Sequence, residues 1–482
     1  MITLLLLFLP LVAAVLVYVA GDKLASKVAL SFAVVELAIS GYALSKFISE
    51  GSDAFYINEP WLSVPKVSFH LGIDGLSMLL ILLTNFLLPL IILSAFNRSI
   101  QNAKSYFSLM LVMQFALLGV FMALDGLLYY IFWEIALIPI YFIALLWGGR
   151  NRIPITLKFF IYTLAGSLLM LFGFIMLYWY NPGHSFDISE LYNNTVSAQN
   201  QSWLFWMFFI AFAIKIPIVP FHTWQADTYR ESPTQGTMLL SGIMLKMGIY
   251  SLIRWLLPIL PLGVAQWGPL AITLCVAGIV YASVIAIRQK NIKDLLAYSS
   301  VAHVGLISAG VFALNLYGFQ GSVVQMLAHG INVVGLFFCA DIISNRTGTL
   351  TIDELGGIRN LAPKFATMFM IIVLGSIGLP LTNGFIGEFL LLYSVYDYNI
   401  WLAVFAGLTI ILGAVYMLRM YKKVMLGNES VAIQSFPDLK WNESLVLGMI
   451  ALVIIALGVY PKPIMDLAEP ALQLILNRYI IN

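Results

Sequence analysis

A chain of 482 residues that is 61% hydrophobic and 10% charged carries more apolar surface than a soluble domain can hide, because soluble domains run near about 25% charged and need polar cover. That balance argues against a water-soluble enzyme and calls for a bilayer around most of the chain. A net charge of +2 gives no reason to expect a nucleic-acid partner, and the two cysteines, Cys275 and Cys339, lie in apolar runs without a disulfide or cluster pattern.

Apolar stretches of spanning length predict about fourteen transmembrane helices. They fall at 2–20, 28–47, 72–95, 106–124, 126–147, 158–180, 203–221, 236–257, 267–287, 292–314, 320–343, 365–395, 400–421 and 443–461. The first resembles a signal peptide only superficially, since it lacks a basic leader and is as long as a span. A last segment, 464–480, is short, amphipathic and interrupted by Pro470, which predicts a helix lying at the interface. No long polar block intervenes, so residues 1–482 are expected to form a single all-α polytopic domain.

Under this topology eighteen of the 25 lysines and arginines fall in loops on one side. Five (Lys46, Lys66, Arg254, Lys462 and Arg478) fall on the other, and Lys215 and Lys246 remain inside spans. The positive-inside rule then places both termini away from the cytoplasm; the compact chain has no obvious organelle features, so the membrane is expected to be a bacterial inner one, with the termini on its periplasmic side.

An ionisable group near the bilayer centre costs at least about 2.5–3.5 kcal/mol, so such groups mark function. Six sit near the middle of six different spans: Glu134, Lys215, Lys246, His303, His329 and Glu388. Glu36, in the second span, reads as structural or lipid-adjacent. A lone intramembrane histidine often does no more than bond a neighbouring helix, and a single Lys–Glu pair can be structural. Six such groups without metal-ligand spacing or a nucleophile beside them are read more economically as a chain of protonatable sites. No metal is expected.

Two spans are interrupted next to these groups. The seventh contains Lys215, Pro217, Pro220 and His222, and the twelfth contains Pro380, Gly384 and Glu388. Proline removes a backbone donor and clashes with the preceding turn, and glycine lets the chain unwind. The breaks lie five spans apart. They fit two inverted five-helix repeats, about 106–257 and 267–421, between flanking helices at 2–95 and 443–482. Broken helices at matching places in inverted repeats point to an ion path near the midplane. His222 is a secondary candidate on that path.

The stretches Phe132-Trp-Glu134-Ile-Ala-Leu-Ile-Pro139, Lys215-Ile-Pro-Ile-Val-Pro-Phe-His-Thr-Trp224, Leu245-Lys246-Met-Gly-Ile-Tyr250, Ala297-Tyr-Ser-Ser-Val-Ala-His303 and Gly384-Phe-Ile-Gly-Glu-Phe389 occur in this order. Together they resemble the antiporter-like membrane subunits of respiratory complex I, over nearly the whole chain. Glu388, where most relatives carry lysine, and an end at Asn482 without a long lateral helix resemble the NuoM-type branch (the mitochondrial subunit 4 counterpart). The sequence departs from the family pattern at Tyr229, which stands in place of a loop histidine, and at Asp341, where a small residue is usual.

The resemblance implies a proton-translocating subunit of NADH:quinone oxidoreductase. In it Glu134 would pair with Lys215, Lys246 would connect to His303 and His329, and Glu388 would lead outward. It also implies that NADH, FMN, iron–sulfur clusters and quinone belong to partner subunits, with none of them held by this chain. NuoL-like and NuoN-like neighbours and the lateral helix of the NuoL-like partner are the expected contacts within the bilayer. The alternative is a subunit of a multisubunit Na+/H+ antiporter without redox coupling.

Overall fold

The computed structural model describes residues 1–96, 98–430, 433 and 436–481. Asn482, the end of the predicted flanking segment 443–482, lies outside the described residues. Among the described residues, twelve helices are long and apolar enough to cross a membrane, and Pro363–Ser376 is a shorter apolar helix. Their ends carry the expected chemistry. The side chains of Asp74, Asp125, Asn291, Asn315 and Asn399 each accept a hydrogen bond from a backbone N–H in the first turn that follows, satisfying donors that the helix leaves open.

The chain divides into two compact units. The first comprises Met1–Ile216, Ile243–Leu270 and Leu467–Asn482. Within it the Ile2–Ala20 helix packs on Asp22–Glu50 and Ala103–Met122, and the latter packs on Gly126–Trp147. The all-α architecture carries one small addition here. Residues Ile57–Leu62 and Val67–Leu71 form a two-stranded antiparallel hairpin, whose register shifts between Pro60 and Leu62. A proline lacks the N–H that a strand ladder uses, so the shift falls where the pairing is already weakened.

The second unit comprises Pro217–Gly242 and Ala271–Asp466. Its axis is the 32-residue helix Leu316–Thr347, packed against Asn383–Tyr398, Ile292–Phe312 and Pro363–Ser376. The spanning window of that helix is wholly buried, whereas only 28% of the Ile400–Met425 window is. Outward faces are apolar rather than charged. Leu157, Ile161, Leu168, Phe172, Ile175 and Trp179 stay exposed at helical spacing along Arg152–Tyr180, the face a lipid-bathed helix presents.

Both predicted breaks are present as element boundaries. The Ala198–Lys215 helix stops at Lys215, and regular helix resumes at Gln225. Pro363–Ser376 stops short of Asn383–Tyr398, with Gly378 at φ +68° and Leu381 at φ +71° between them. The helix predicted at 28–47 runs from Asp22 to Glu50, and that at 320–343 from Leu316 to Thr347. Hydropathy marks only the apolar middle of such helices, while the backbone bonds continue into their polar ends.

Candidate functional site

In the first unit, Glu134 lies on Gly126–Trp147 and Lys215 ends Ala198–Lys215. Lys215 is 3% exposed, and its Nζ sits 5.0 Å from the centre of the Trp133 ring. A cation over an aromatic face gains from the ring quadrupole. Glu134 is within electrostatic reach of Lys215, but neither Glu134 Oε1 nor Lys215 Nζ has a hydrogen-bond partner. Their interaction acts through space.

Lys246 is fully buried on Leu245–Ser251. That stretch lies between two π-helical segments, Leu240–Met244 and Leu252–Leu256. Single π turns inside α-helices recur at functional sites because they re-aim side chains.

The second unit gathers its groups more tightly. Glu388 is 2% exposed, and its Oε1 lies 3.3 Å from His303 Nδ1. The Gln325 amide donates to the same oxygen at 3.3 Å. His329 stands with its ring centre 6.0 Å from that of His303, and its Nε2 meets Ser300 Oγ at 3.0 Å. His222, within the first break, is buried with its ring edge-on to Tyr281 at 5.1 Å. Pro217 is buried, whereas Pro220 and Pro380 reach the surface.

The glycines of the second break make room for the carboxylate. A Cβ on Gly378 would sit 2.5 Å from Glu388 Oε2, and one on Gly384 would sit 2.2 Å from the Gly375 carbonyl oxygen. Gly378 also has a positive φ. Gly378→Ala is therefore expected to lower stability by about 1–3 kcal/mol, the range of a left-handed non-glycine residue, and to push Glu388 away from His303. A thermal melt of the solubilised complex together with a proton-pumping assay checks both effects.

Several polar residues escaped the sequence reading. Arg254, counted with the loop cations, is 7% exposed and forms an ion pair with Asp74. Its Nε donates to Tyr250 Oη at 3.3 Å. The pair opens on a cavity of about 390 Å³ that also reaches Tyr56, His70 and Tyr192. Breaking a buried pair leaves an uncompensated charge and costs about 3–5 kcal/mol. Arg254→Leu is therefore expected to destabilise strongly, and adding Asp74→Leu should recover most of the loss, read as the melting temperature of the solubilised complex.

Outside the spans, His70 Nδ1 and Asp187 Oδ2 lie 2.6 Å apart. Burial pushes the Asp187 carboxyl up, but hydrogen bonds from His70 and Ser189 outweigh it and leave it below the ordinary value. Glu36 is not lipid-adjacent. It is 1% exposed and accepts a hydrogen bond from Asn85 at 3.4 Å, and the Asn85 side-chain oxygen accepts from Gln114 at 2.7 Å. Asp341 is buried and accepts a hydrogen bond from the Thr234 hydroxyl. Asn85, Gln114, Gln325 and Ser300 carry no charge, so no insertion penalty flags them in a sequence.

The fold and these buried groups define a polytopic membrane protein that holds titratable side chains within its apolar interior. The family model described as NADH:quinone oxidoreductase/Mrp antiporter, TM, matches residues 123–413, and the chain belongs to that family. It is 39% identical over 484 residues to the NADH-quinone oxidoreductase subunit M of Rickettsia prowazekii, covering 98% of each chain. It is 38% identical to NADH-ubiquinone oxidoreductase chain 4 of Arabidopsis thaliana, over 84% of this chain and 82% of the other. Among solved structures, a chain of respiratory complex I from Thermus thermophilus superposes with a TM-score of 0.90 at 30% identity, over 98% of this chain and 100% of that one. A chain of the Mrp complex from Dietzia superposes at 0.86 with 21% identity, over 99% of this chain and 98% of the other, which shows the shared fold alone.

Proposed function

We propose that this chain is a proton-translocating membrane-arm subunit of NADH:quinone oxidoreductase, carrying protons through Glu134, Lys215, Lys246, His303, His329 and Glu388. The observation that carries the reading is the buried contact of Glu388 with His303 beside a broken helix. It sets two titratable groups against each other beside an interruption of the helix. Relatives named subunit M and chain 4 support assigning it to the respiratory complex.

Fourteen spans, in two inverted five-helix repeats at about 106–257 and 267–421, complete the proposed architecture. Both termini face the periplasm of a bacterial inner membrane, because the excess of basic loop residues belongs to the cytoplasmic side. Electron transfer through NADH, FMN, iron–sulfur clusters and quinone falls to partner subunits. NuoL-like and NuoN-like neighbours, and the lateral helix of the former, cover the apolar flanks.

In the first unit, Lys215 holds or loses its proton as Glu134 approaches or is itself protonated. At about 4 Å and an effective dielectric near 20, such a pair interacts by roughly 4 kcal/mol. Loss of that interaction is enough to send a proton onward. The second unit receives protons on its histidines, and Glu388 leads them out.

The test uses the complex purified with this chain and reconstituted into vesicles. NADH and quinone should drive proton translocation in sodium-free medium. Proton movement that ignores NADH and follows an imposed sodium gradient would instead identify an Mrp-type antiporter subunit.

A further inference from the structure

The second unit contains two cavities that meet at one hydrogen bond. The outer one, about 220 Å³, has a rim of Arg288, Lys290, Arg419 and Lys423, with Asp353 paired to Lys423 at 2.5 Å. These rim residues are exposed. Below them the walls become apolar at Leu295 and Met420, both buried, and one polar side chain closes the floor. That side chain is Tyr416, 1% exposed, whose hydroxyl donates to Ser299 Oγ at 3.0 Å.

Ser299 also lines the inner cavity, together with Ser300, His303 and His329. The inner cavity measures about 10 Å³, near the least space that one water molecule needs. From there Ser300 reaches His329 at 3.0 Å, and His303 reaches Glu388 at 3.3 Å. The spacing along the chain fits this layout. Leu295, Ser299 and His303 follow one another at four-residue intervals on the Ile292–Phe312 helix, which puts outer wall, partition and histidine on one face. Tyr416, Arg419 and Lys423, spaced three and four residues apart, likewise share one face of Ile400–Met425, leading from partition to rim.

We propose that Tyr416 is the gate through which protons enter the second unit from its basic face. This rests on the proton-carrying reading above and extends it to a specific entrance, which the sequence motifs do not mark. Water in the outer cavity gives a proton to the Tyr416 oxygen as the hydroxyl proton moves to Ser299 Oγ. Ser299 passes its own proton to water in the inner cavity, and that water protonates a histidine. Each oxygen gains one proton and gives up one, and rotation of the two hydroxyls resets the chain. The tyrosine ring plugs the passage, so a hydrated metal ion cannot follow, and the positive rim disfavours its approach.

Tyr416→Phe keeps the ring and cuts the chain, and Ser299→Ala cuts it one step further in. Each variant is measured in the assembled complex in vesicles, with assembly checked by native gel and Glu388→Gln run beside it. Both cuts are expected to lower NADH-driven proton uptake and quinone reduction by roughly tenfold, less than the about hundredfold that loss of an acid–base group costs, because each hydroxyl only relays the proton. Ser299→Thr, which keeps a hydroxyl, should retain activity. Residual turnover in Tyr416→Phe should rise as the medium on the basic face is acidified, because uptake has become limiting; a merely structural lesion would not respond. If Tyr416→Phe fails to assemble, Ser299→Ala decides. Wild-type uptake in both cut variants, with Glu388→Gln inactive, overturns the gate and leaves the relay standing. Wild-type behaviour in all three overturns the relay as well.

Discussion

Lys246→Met is expected to leave the complex assembled while lowering NADH-driven proton pumping by roughly a hundredfold, the lower range for loss of an essential proton-transfer group. The two halves of that expectation come from different physics. A lysine with no exposed surface is costly to hold inside a membrane helix. Methionine has a similar length and an apolar side chain, so it fills the same space without that cost. A structural lysine would therefore be replaced at little cost to activity. A relay lysine cannot be, because methionine accepts no proton. The π-helical segments on either side are the kind of helix irregularity that is frequent at functional sites. Native-gel assembly, proton pumping and quinone reductase activity measured on the same membranes separate the two outcomes.

Glu388→Gln should have the second-largest effect, reducing pumping and turnover together by roughly tenfold or more. The amide matches the carboxylate in size and can still meet Gln325, so packing around the break changes little. The charge is what goes. The carboxylate that lies 3.3 Å from His303 Nδ1 is replaced by a group that cannot take up and release a proton. Full pumping in this variant would remove Glu388 from the path.

Much of the architecture was legible because the bilayer leaves a strong mark on sequence. A span must be apolar over its length, and a buried ion must repay its cost, so hydropathy located the helices and the six ionisable groups. Proline and glycine located both breaks. Other features left no such mark. The hairpin at 57–71 lies in a polar, proline-containing loop, where two short strands leave little periodicity to read. Arg254 stood near a predicted span end and was counted with the loops; only the fold brings Asp74, 180 residues away, against it. Gln325, Ser299 and Tyr416 are neutral, so nothing in composition separates them from ordinary packing residues. Their roles depend on which helices touch, and this follows from tertiary structure.

The contact of His303 with Glu388 illustrates the same limit. The sequence placed both residues in spans but on different helices, and it read Glu388 as an outlet. The Leu316–Thr347 helix, packed between Ile292–Phe312 and Asn383–Tyr398, brings Gln325 and His329 to that meeting. A glycine at 378 leaves space for the carboxylate. The sequence reading named Pro380 and Gly384 at this break and passed over Gly378.

The most direct test of coupled proton translocation is Lys215→Ala in native membranes, with proton pumping, NADH oxidation and assembly measured in parallel. Lys215 is buried at the end of a broken helix without a hydrogen-bond partner for its ammonium, so little structure depends on its charge. A joint fall in pumping and NADH oxidation, with assembly intact, is the predicted result. Wild-type pumping and oxidation would contradict it and make the buried lysine a structural residue.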